Sequence, residues 1–177
     1  MTDALTRLRA IAPAPGEACR KGWSEVERRL GFELPADYKE LVHLYGGSNW
    51  DDHLYVLEPG CPNDNYDLIA WAENQAEDLE GLWEYEKKPP ELAPEGSRVI
   101  PWATTDNGDC LYWLVRPGLD PDAWTVMVNE ARGGRWEHFS VSCTQFLASC
   151  LEGGLRSAIL SSSFPRAPHR FRRLGAV

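Results

Sequence analysis

The hydrophobic positions in the first half of the chain recur three or four residues apart, which is the period of an amphipathic helix. This spacing predicts helices at 3–11, 24–30, 35–45 and 67–85. The longest of them carries an apolar stripe on one face and acidic residues on the other. That pattern is typical of a helix that packs on a core and leaves its charged face in solvent.

Residues with strong capping preferences bound two of these helices. Ser24 followed by Glu27 predicts a capping box at the start of the second helix. Pro35 suits the first turn of the third helix, because its missing N–H would be unpaired there. The Gly46-Gly47 pair predicts the end of that helix, since glycine reaches left-handed backbone angles at little cost.

The second half of the chain changes to β-rich segments separated by turn residues. Asn107-Gly108 between two such segments is a strong hairpin signal, because both residues tolerate positive φ. Ser142 with Gln145 predicts a second capping box and a closing helix. The predicted strands are 54–57, 99–104, 110–115, 124–129 and 136–139, the last two joined by a turn at 132–134.

Helices followed by a strand meander and a closing helix indicate an α+β fold. We expect an antiparallel or mixed twisted sheet of about 4–6 strands with helices packed around it. We expect these helices on one side, leaving part of the other side or an end open to a partner. The chain divides into an N-terminal helical extension at 1–22, a domain at 23–160 and a basic, mobile C-terminal tail at 161–177.

The order of these features resembles the SUKH superfamily, the family of Smi/Knr-type proteins. The similar segments are Trp23 to Gly31, Leu34-Pro-Ala-Asp-Tyr-Lys39 with Leu41 and Gly46-Gly47, the hairpin at 100–114, the strand at 124–130 and the helix at 142–151. Together they cover roughly residues 23–154 in the family's order. Each motif is short, and the specificity of the resemblance lies in the order of all of them.

The resemblance implies a non-catalytic protein-binding function. Bacterial members are commonly immunity proteins, which neutralise toxins exchanged between competing cells, and fungal members resemble regulators of cell-wall synthesis. The family carries no catalytic residue set, so none is assigned. The chain departs from the family at Tyr45, where Asn often precedes the glycines, and in its long acidic helix and basic tail. These departures leave the particular partner open.

The net charge of −9 is unevenly distributed along the chain. Residues 166–177 contain four arginines and no acid, which leaves 14 basic and 27 acidic residues, or −13, in the rest. Such a body repels nucleic acid, whose binding requires a basic surface. It attracts a basic protein and speeds the encounter, although acidity that serves solubility alone is an equal alternative.

The five cysteines are odd in number and widely spaced, with no metal-ligand or redox pair, which favours free thiols in a reducing compartment. The sequence has no signal-peptide pattern and no apolar run near the ~18 residues of a membrane span. We therefore expect a cytoplasmic protein, a monomer or weak homodimer, that binds no membrane, nucleic acid or cofactor.

No residue constellation predicts catalysis or a metal site, so we do not expect an enzyme. His53 follows two aspartates, but nothing in the sequence fixes the further ligands that a metal needs. Cys143 near His138 is more typical of a buried structural cysteine than of a nucleophile. The segment 106–109 resembles part of a calcium loop and lacks the rest of that motif.

Three loops carry residues suited to binding a partner. Trp50 is either an exposed anchor or a lid over the core, and the aspartates around it would meet a cationic surface. If the loops converge, they form an acidic rim around an aromatic centre, as in a steered interface. The candidate residues are Trp50, Asp51, Asp52, Asp64, Asp67, Asp106 and Asp109.

Two functions remain open at this point. The first is an immunity protein that neutralises a bacterial toxin by binding its basic domain directly. The alternative is an intracellular adaptor or regulator of the same fold with no toxin partner, whose interaction would depend less on salt.

Overall fold

The helices and strands alternate along the chain much as the hydrophobic pattern predicts. The computed structural model describes residues 2–131 and 134–175, so residues 132 and 133 of the predicted turn lie outside it. The helices are α1 (Asp3–Ile11), α2 (Trp23–Leu30), α3 (Ala36–Tyr45), α4 (Leu68–Leu82) and α5 (Cys143–Leu151). The strands are β1 (Ser48–Trp50), β2 (Leu54–Val56), β3 (Arg98–Thr105), β4 (Cys110–Val115), β5 (Thr125–Asn129), β6 (Trp136–Phe139) and β7 (Phe171–Arg173). Short 3-10 turns lie at Asp64–Tyr66, Pro90–Leu92 and Pro121–Ala123.

The strands pair in one antiparallel sheet in the order β6-β5-β4-β3-β2-β1-β7. The predicted α+β class is therefore confirmed. The predicted strand number of 4–6 is wrong, because the described chain has seven strands. The pattern missed β1 and β7, which are three residues each and largely polar, so they are too short to show alternation.

Both faces of the sheet are covered by helices. Along β4, Leu111 and Trp113 enter the main core, whereas Tyr112 and Leu114 enter a second, smaller cluster on the opposite face. The main core is shared with α1, α3 and α5, and α4 contributes Leu79 to the smaller cluster. The expectation of helices on one side is therefore wrong. A strand that is buried along its whole length requires cover on both faces.

The N-terminal segment, predicted as an extension, packs into the body of the fold. Leu5 and Leu8 of α1 are fully buried in the main core. Arg7 on the outer side of α1 pairs with Glu152, just after α5. The segment at 1–22 thus contributes a helix to the same core that the sheet forms.

The two predicted capping boxes have different outcomes. Ser142 and Gln145 form one at the start of α5. The box at Ser24 is wrong, because α2 begins at Trp23 after Gly22 and has no side-chain cap. Glu27 instead accepts the N–H of Leu34 at 2.9 Å, so this carboxylate ties α2 to the start of the next helix.

The Gly46-Gly47 pair ends α3 and also admits a buried carboxylate. Glu58 is 4% exposed and accepts the N–H of Gly47 at 2.6 Å. A Cβ at position 47 would lie 2.8 Å from Glu58 Oε2 and 2.9 Å from its Cβ, which only glycine avoids. Lys21 pairs with the same carboxylate at 2.5 Å, so its charge is balanced inside the fold.

The C-terminal segment (residues 161–175) is docked on the body rather than free. Strand β7 pairs with β1, and Leu174 donates its N–H to Gly47 O at 2.7 Å. The ring of Phe171 lies 4.9 Å from that of Trp50. The predicted mobile tail is therefore wrong for these residues. Their polar composition suggested solvation, but Phe164 and Phe171 alternate with the arginines and pack inward.

Candidate protein-binding site

The first predicted binding loop, between β1 and β2, is occupied by the chain itself. Trp50 is 1% exposed and contacts the rings of Tyr45 at 5.1 Å and Phe171 at 4.9 Å. Its interpretation as an exposed anchor is wrong, and the alternative of a lid matches its burial. A partner protein cannot reach this side chain.

Asp51 is the acceptor that holds the C-terminal segment in place. Its side chain is fully buried and accepts the N–H groups of Arg166 at 2.9 Å and Arg170 at 2.7 Å. His169 Nδ1 lies 2.9 Å from the same carboxylate. Because every position around Asp51 is taken by the chain, it is not a partner-binding residue.

The neighbouring Asp52 is half exposed and faces the same segment. It pairs with Arg170 at 3.2 Å and lies 3.9 Å from Arg166. Asp51 and Asp52 both adopt positive φ, at 53° and 58°, which non-glycine residues adopt at a cost. The basic groups expected to face this loop are supplied by the chain's own C-terminal segment.

The two aspartates of the β3–β4 hairpin have separate roles. Asp109 is 4% exposed, and its carboxylate contacts Thr105 Oγ1 at 3.0 Å and accepts the N–H of Ala131 at 3.1 Å. It is a structural residue of the turn. Asp106 is exposed and pairs with His53, which is itself buried.

The third predicted loop also divides into a structural and an open residue. Asp67 is the N-cap of α4 and accepts the N–H groups of Ile69 at 3.2 Å and Gly60 at 2.8 Å. Asp64, one 3-10 turn earlier, is exposed. The loop therefore leaves one carboxylate available.

The two available carboxylates, Asp64 and Asp106, line one groove of about 570 Å³ between α4, the 3-10 turn at Asp64–Tyr66 and the β3–β4 turn. We call this the acidic groove. Its lining contains no lysine or arginine. The lining residues are Asp64, Asn65, Tyr66, Ala70, Trp71, Asn74, Thr104, Thr105, Asp106, Asn107 and Gly108.

The aromatic wall of the acidic groove is formed by residues that the sequence argument did not select. Trp71 is half-buried and donates from Nε1 to Asn65 O at 2.7 Å. Tyr66 stacks on Tyr55 at 4.7 Å, with the rings 2° from parallel. One signal was present, because Trp71 falls outside the apolar stripe that begins with Ile69 and Ala72. A large aromatic off the buried stripe is expected at a boundary between core and surface.

The groove continues into the exposed acidic face of α4. Asn74 lines the groove, and Asp78 lies one turn further along the same face. The prediction that this face is solvated is confirmed, because its acidic residues Glu73, Glu77, Asp78, Glu80 and Glu84 are exposed. Tyr85, just after α4, is 87% exposed, so its ring is a further aromatic surface open to solvent that was not predicted from the sequence.

The buried thiols are protonated near neutral pH and are therefore poor nucleophiles. Burial raises the pKa of Cys110 and of Cys150 to about 12. Burial, with Asp37 beside it, also raises the pKa of Cys143 well above its ordinary value, so this thiol is protonated near neutral pH. In the described ranges, no group of three or more His, Cys, Asp or Glu side chains is placed to hold a metal ion.

Of the comparisons with known proteins, one gave a match, to a family model. Within the described residues, no helix has the length and apolar character to cross a bilayer. No curated protein and no solved structure matched the chain. A family model described as SUKH_6, SMI1-KNR4 cell-wall, matches residues 20–147, which include α2 to α4, β1 to β6 and the start of α5. The chain therefore belongs to the SMI1/KNR4 family of the SUKH superfamily.

Proposed function

We propose that this chain is an immunity protein of its family, which neutralises a toxin by binding a basic surface of it in the acidic groove. The observation that carries the proposal is that Asp64 and Asp106 line the same groove as the aromatic residues Tyr66 and Trp71, and that this lining contains no lysine or arginine. The other predicted acidic residues are bound within the fold, whereas Asp64 is exposed and Asp106, although it contacts His53, is half exposed.

The groove suits an arginine of the partner. A guanidinium ion stacks on aromatic faces and donates two parallel hydrogen bonds to a carboxylate. Trp71 and Tyr66 offer the aromatic surface, and Asp64 or Asp106 offers the acceptor. Each such contact is worth about 0.5–2 kcal/mol, more where water is excluded.

The remaining surface favours the same class of partner. The chain has a net charge of −9, and the exposed face of α4 extends the negative field beyond the groove. Opposite charge on the two proteins speeds their encounter and makes the rate sensitive to salt. A basic toxin domain is thus captured quickly and then held by the groove.

The test is a binding titration of the purified chain with the toxin-like product of a neighbouring gene, at about 50 and 500 mM salt. We expect tight binding that weakens with salt, and rescue of growth when both genes are expressed together. The double variant Asp64→Asn/Asp106→Asn should weaken binding about 10- to 100-fold, because two charge-assisted contacts are lost.

A charge-matched control separates the groove from the overall field. Glu33 and Glu95 are exposed and lie outside the groove lining. The variant Glu33→Gln/Glu95→Gln changes the net charge equally and should leave affinity within about twofold. Equal loss in both variants would make the interaction a field effect without a site. If no toxin-like partner binds, the toxin role is wrong and the regulatory alternative gains support.

A further inference from the structure

A second concave site lies on the other flank of α4. Residues 70, 71 and 74 of α4 line the acidic groove. The second cleft is lined by residues 72, 76, 79, 80 and 83, which lie on the opposite side of the helix. Its volume is about 360 Å³, within the range of small-molecule sites. The lining residues are Phe32, Ala72, Ala76, Leu79, Glu80, Trp83, Lys88, Leu92, Ser97, Arg98, Val99 and Ile100.

The cleft exists because of two small residues in the apolar stripe of α4. The stripe predicts continuous packing, but Ala72 and Ala76 are too short to reach the opposite wall. That wall is formed by Leu92, Val99 and Ile100. The space above the alanines therefore stays open, and we call it the alanine cleft.

The mouth of the alanine cleft carries two exposed cations, Lys88 and Arg98. The guanidinium carbon of Arg98 lies 5.0 Å from the centroid of Phe32, and Lys88 Nζ lies 5.9 Å from that of Trp83. In the described part of the chain, neither forms an ion pair. A cation over a ring keeps its N–H donors free for an anion. In a chain of net charge −9, two cations at one cleft without an ion-pair partner among the described residues favour an anionic ligand.

An unpaired buried hydroxyl lies in the same lining. Ser97 Oγ is buried and has no hydrogen-bond partner in the part of the chain that the structure describes. Buried polar atoms are nearly always paired, and a serine hydroxyl can donate to an acceptor or accept from a donor that enters the cleft. This observation is independent of the charge at the mouth, and a carboxylate inside the cleft would give the hydroxyl an acceptor.

We propose that the alanine cleft binds a small amphipathic monocarboxylate, with its apolar body over Ala72 and Ala76 and its carboxylate at Lys88, Arg98 and Ser97. The apolar walls bury the hydrocarbon chain of the ligand, and removal of that apolar surface from water favours binding. Glu80 is the one carboxylate of the lining, and it opposes the ligand's charge. This site is separate from the acidic groove and does not depend on the proposed toxin partner.

The test compares three ligands that share one hydrocarbon body. Decanoate, decanol and decylamine are titrated by calorimetry into the purified chain. We expect decanoate to bind at least about tenfold more tightly than decanol, as one favourable charge contact implies, and decylamine more weakly than either.

Matched variants locate the site. Ala76→Leu fills the cleft from an exposed helix position and should abolish decanoate binding without loss of folding, which circular dichroism checks. Arg98→Gln should weaken decanoate about tenfold and leave decanol unchanged. Arg20→Gln, at an exposed arginine outside the lining, should leave both unchanged, and Glu80→Gln should tighten decanoate.

Two kinds of titration result would contradict carboxylate binding in the alanine cleft. Equal affinity for decanoate and decanol would show that the cations do not select the ligand. No binding of decanoate, or binding that Ala76→Leu does not change, would remove the cleft as the site. None of these results bears on the toxin titration, which involves the other flank of α4.

Discussion

Two acidic regions lie side by side at one end of the sheet, and they differ in whether the chain covers them. In the β1–β2 loop, the side chain of Asp51 is fully buried against the C-terminal segment. Asp52 forms an ion pair with Arg170 of the same segment. In the acidic groove, Asp64 is exposed, and Asp106 is exposed apart from its contact with His53. The residue type is the same in both places. The difference is whether the chain returns to supply the positive partner.

This comparison shows how to recognise an acidic loop that remains available. A carboxylate that accepts several backbone N–H groups is part of the fold, because removing it leaves those donors unpaired. A carboxylate without such donors costs little to remove, and it is available to a partner unless arginines of the chain already face it, as they do at Asp52. The hydrogen-bond partners of an aspartate, rather than its position in a loop, therefore indicate its role.

The strongest test of the comparison is Asp51→Ala. Three groups of the C-terminal segment lose their acceptor, so we expect the free energy of unfolding to fall by about 4 kcal/mol, including about 1 kcal/mol for alanine at positive φ. Urea denaturation followed by tryptophan fluorescence measures this change.

Asp52→Ala is the matched control, because Asp52 has nearly the same φ and lacks the buried donors. It should cost only about 1 kcal/mol. Equal effects of the two substitutions would mean that backbone strain, and not the docking of the C-terminal segment, decides stability at this loop.

A pH titration gives an effect of intermediate size. Tyr45 lies under Trp50, and burial raises its pKa to about 12. The unfolded chain ionises this phenol near its ordinary pKa of about 10, so the stabilisation is complete below pH 10 and is lost as the pH rises toward 12. We expect Tyr45 to contribute a fall of about 1 kcal/mol in unfolding free energy between pH 10 and 11.

Tyr45→Phe isolates that contribution from those of the other buried tyrosines and cysteines. The variant loses the hydrogen bond to Ala12 O and should be less stable at neutral pH. Its stability should decline less steeply above pH 10 than that of the parent chain. If the unfolding free energies of the variant and the parent chain declined equally with pH, folding would not raise the pKa of Tyr45.

The smallest expected effect on stability is that of Asp64→Asn. The side chain of Asp64 is exposed and caps no helix of the described chain, so the free energy of unfolding should change by less than about 0.5 kcal/mol. Urea denaturation beside Asp51→Ala measures the contrast directly. A loss as large as that of Asp51 would place the acidic groove among the structural elements.

Much of the fold was predictable from local patterns. The strands 110–115 and 136–139 have the predicted bounds, and the capping box at Ser142 forms as expected. These elements are long enough to show a period or are fixed by side chains within four residues. The strands β1 and β7 were not predictable, since their pairing joins residues more than 120 positions apart.

The candidate site was predictable only in part. The sequence indicated acidic loops beside an aromatic residue, and Asp64 and Asp106 do lie together. The aromatic residue is Trp71 rather than Trp50, because the burial of Trp50 depends on Phe171 from the far end of the chain. The alanine cleft was not predictable for a different reason: an apolar stripe that contains two alanines has the same period as one filled with large side chains.

The sequence by itself determined the α+β class, the main helices and the acidic character of the surface, because each depends on neighbours within a few residues or on composition alone. The tertiary structure alone decided which acidic residues stay open. That outcome depends on where the C-terminal segment returns, and a hydrogen bond between Asp51 and Arg170 leaves no local periodicity to read. Contacts between residues far apart in the sequence therefore decide which acidic side chains of this protein remain exposed.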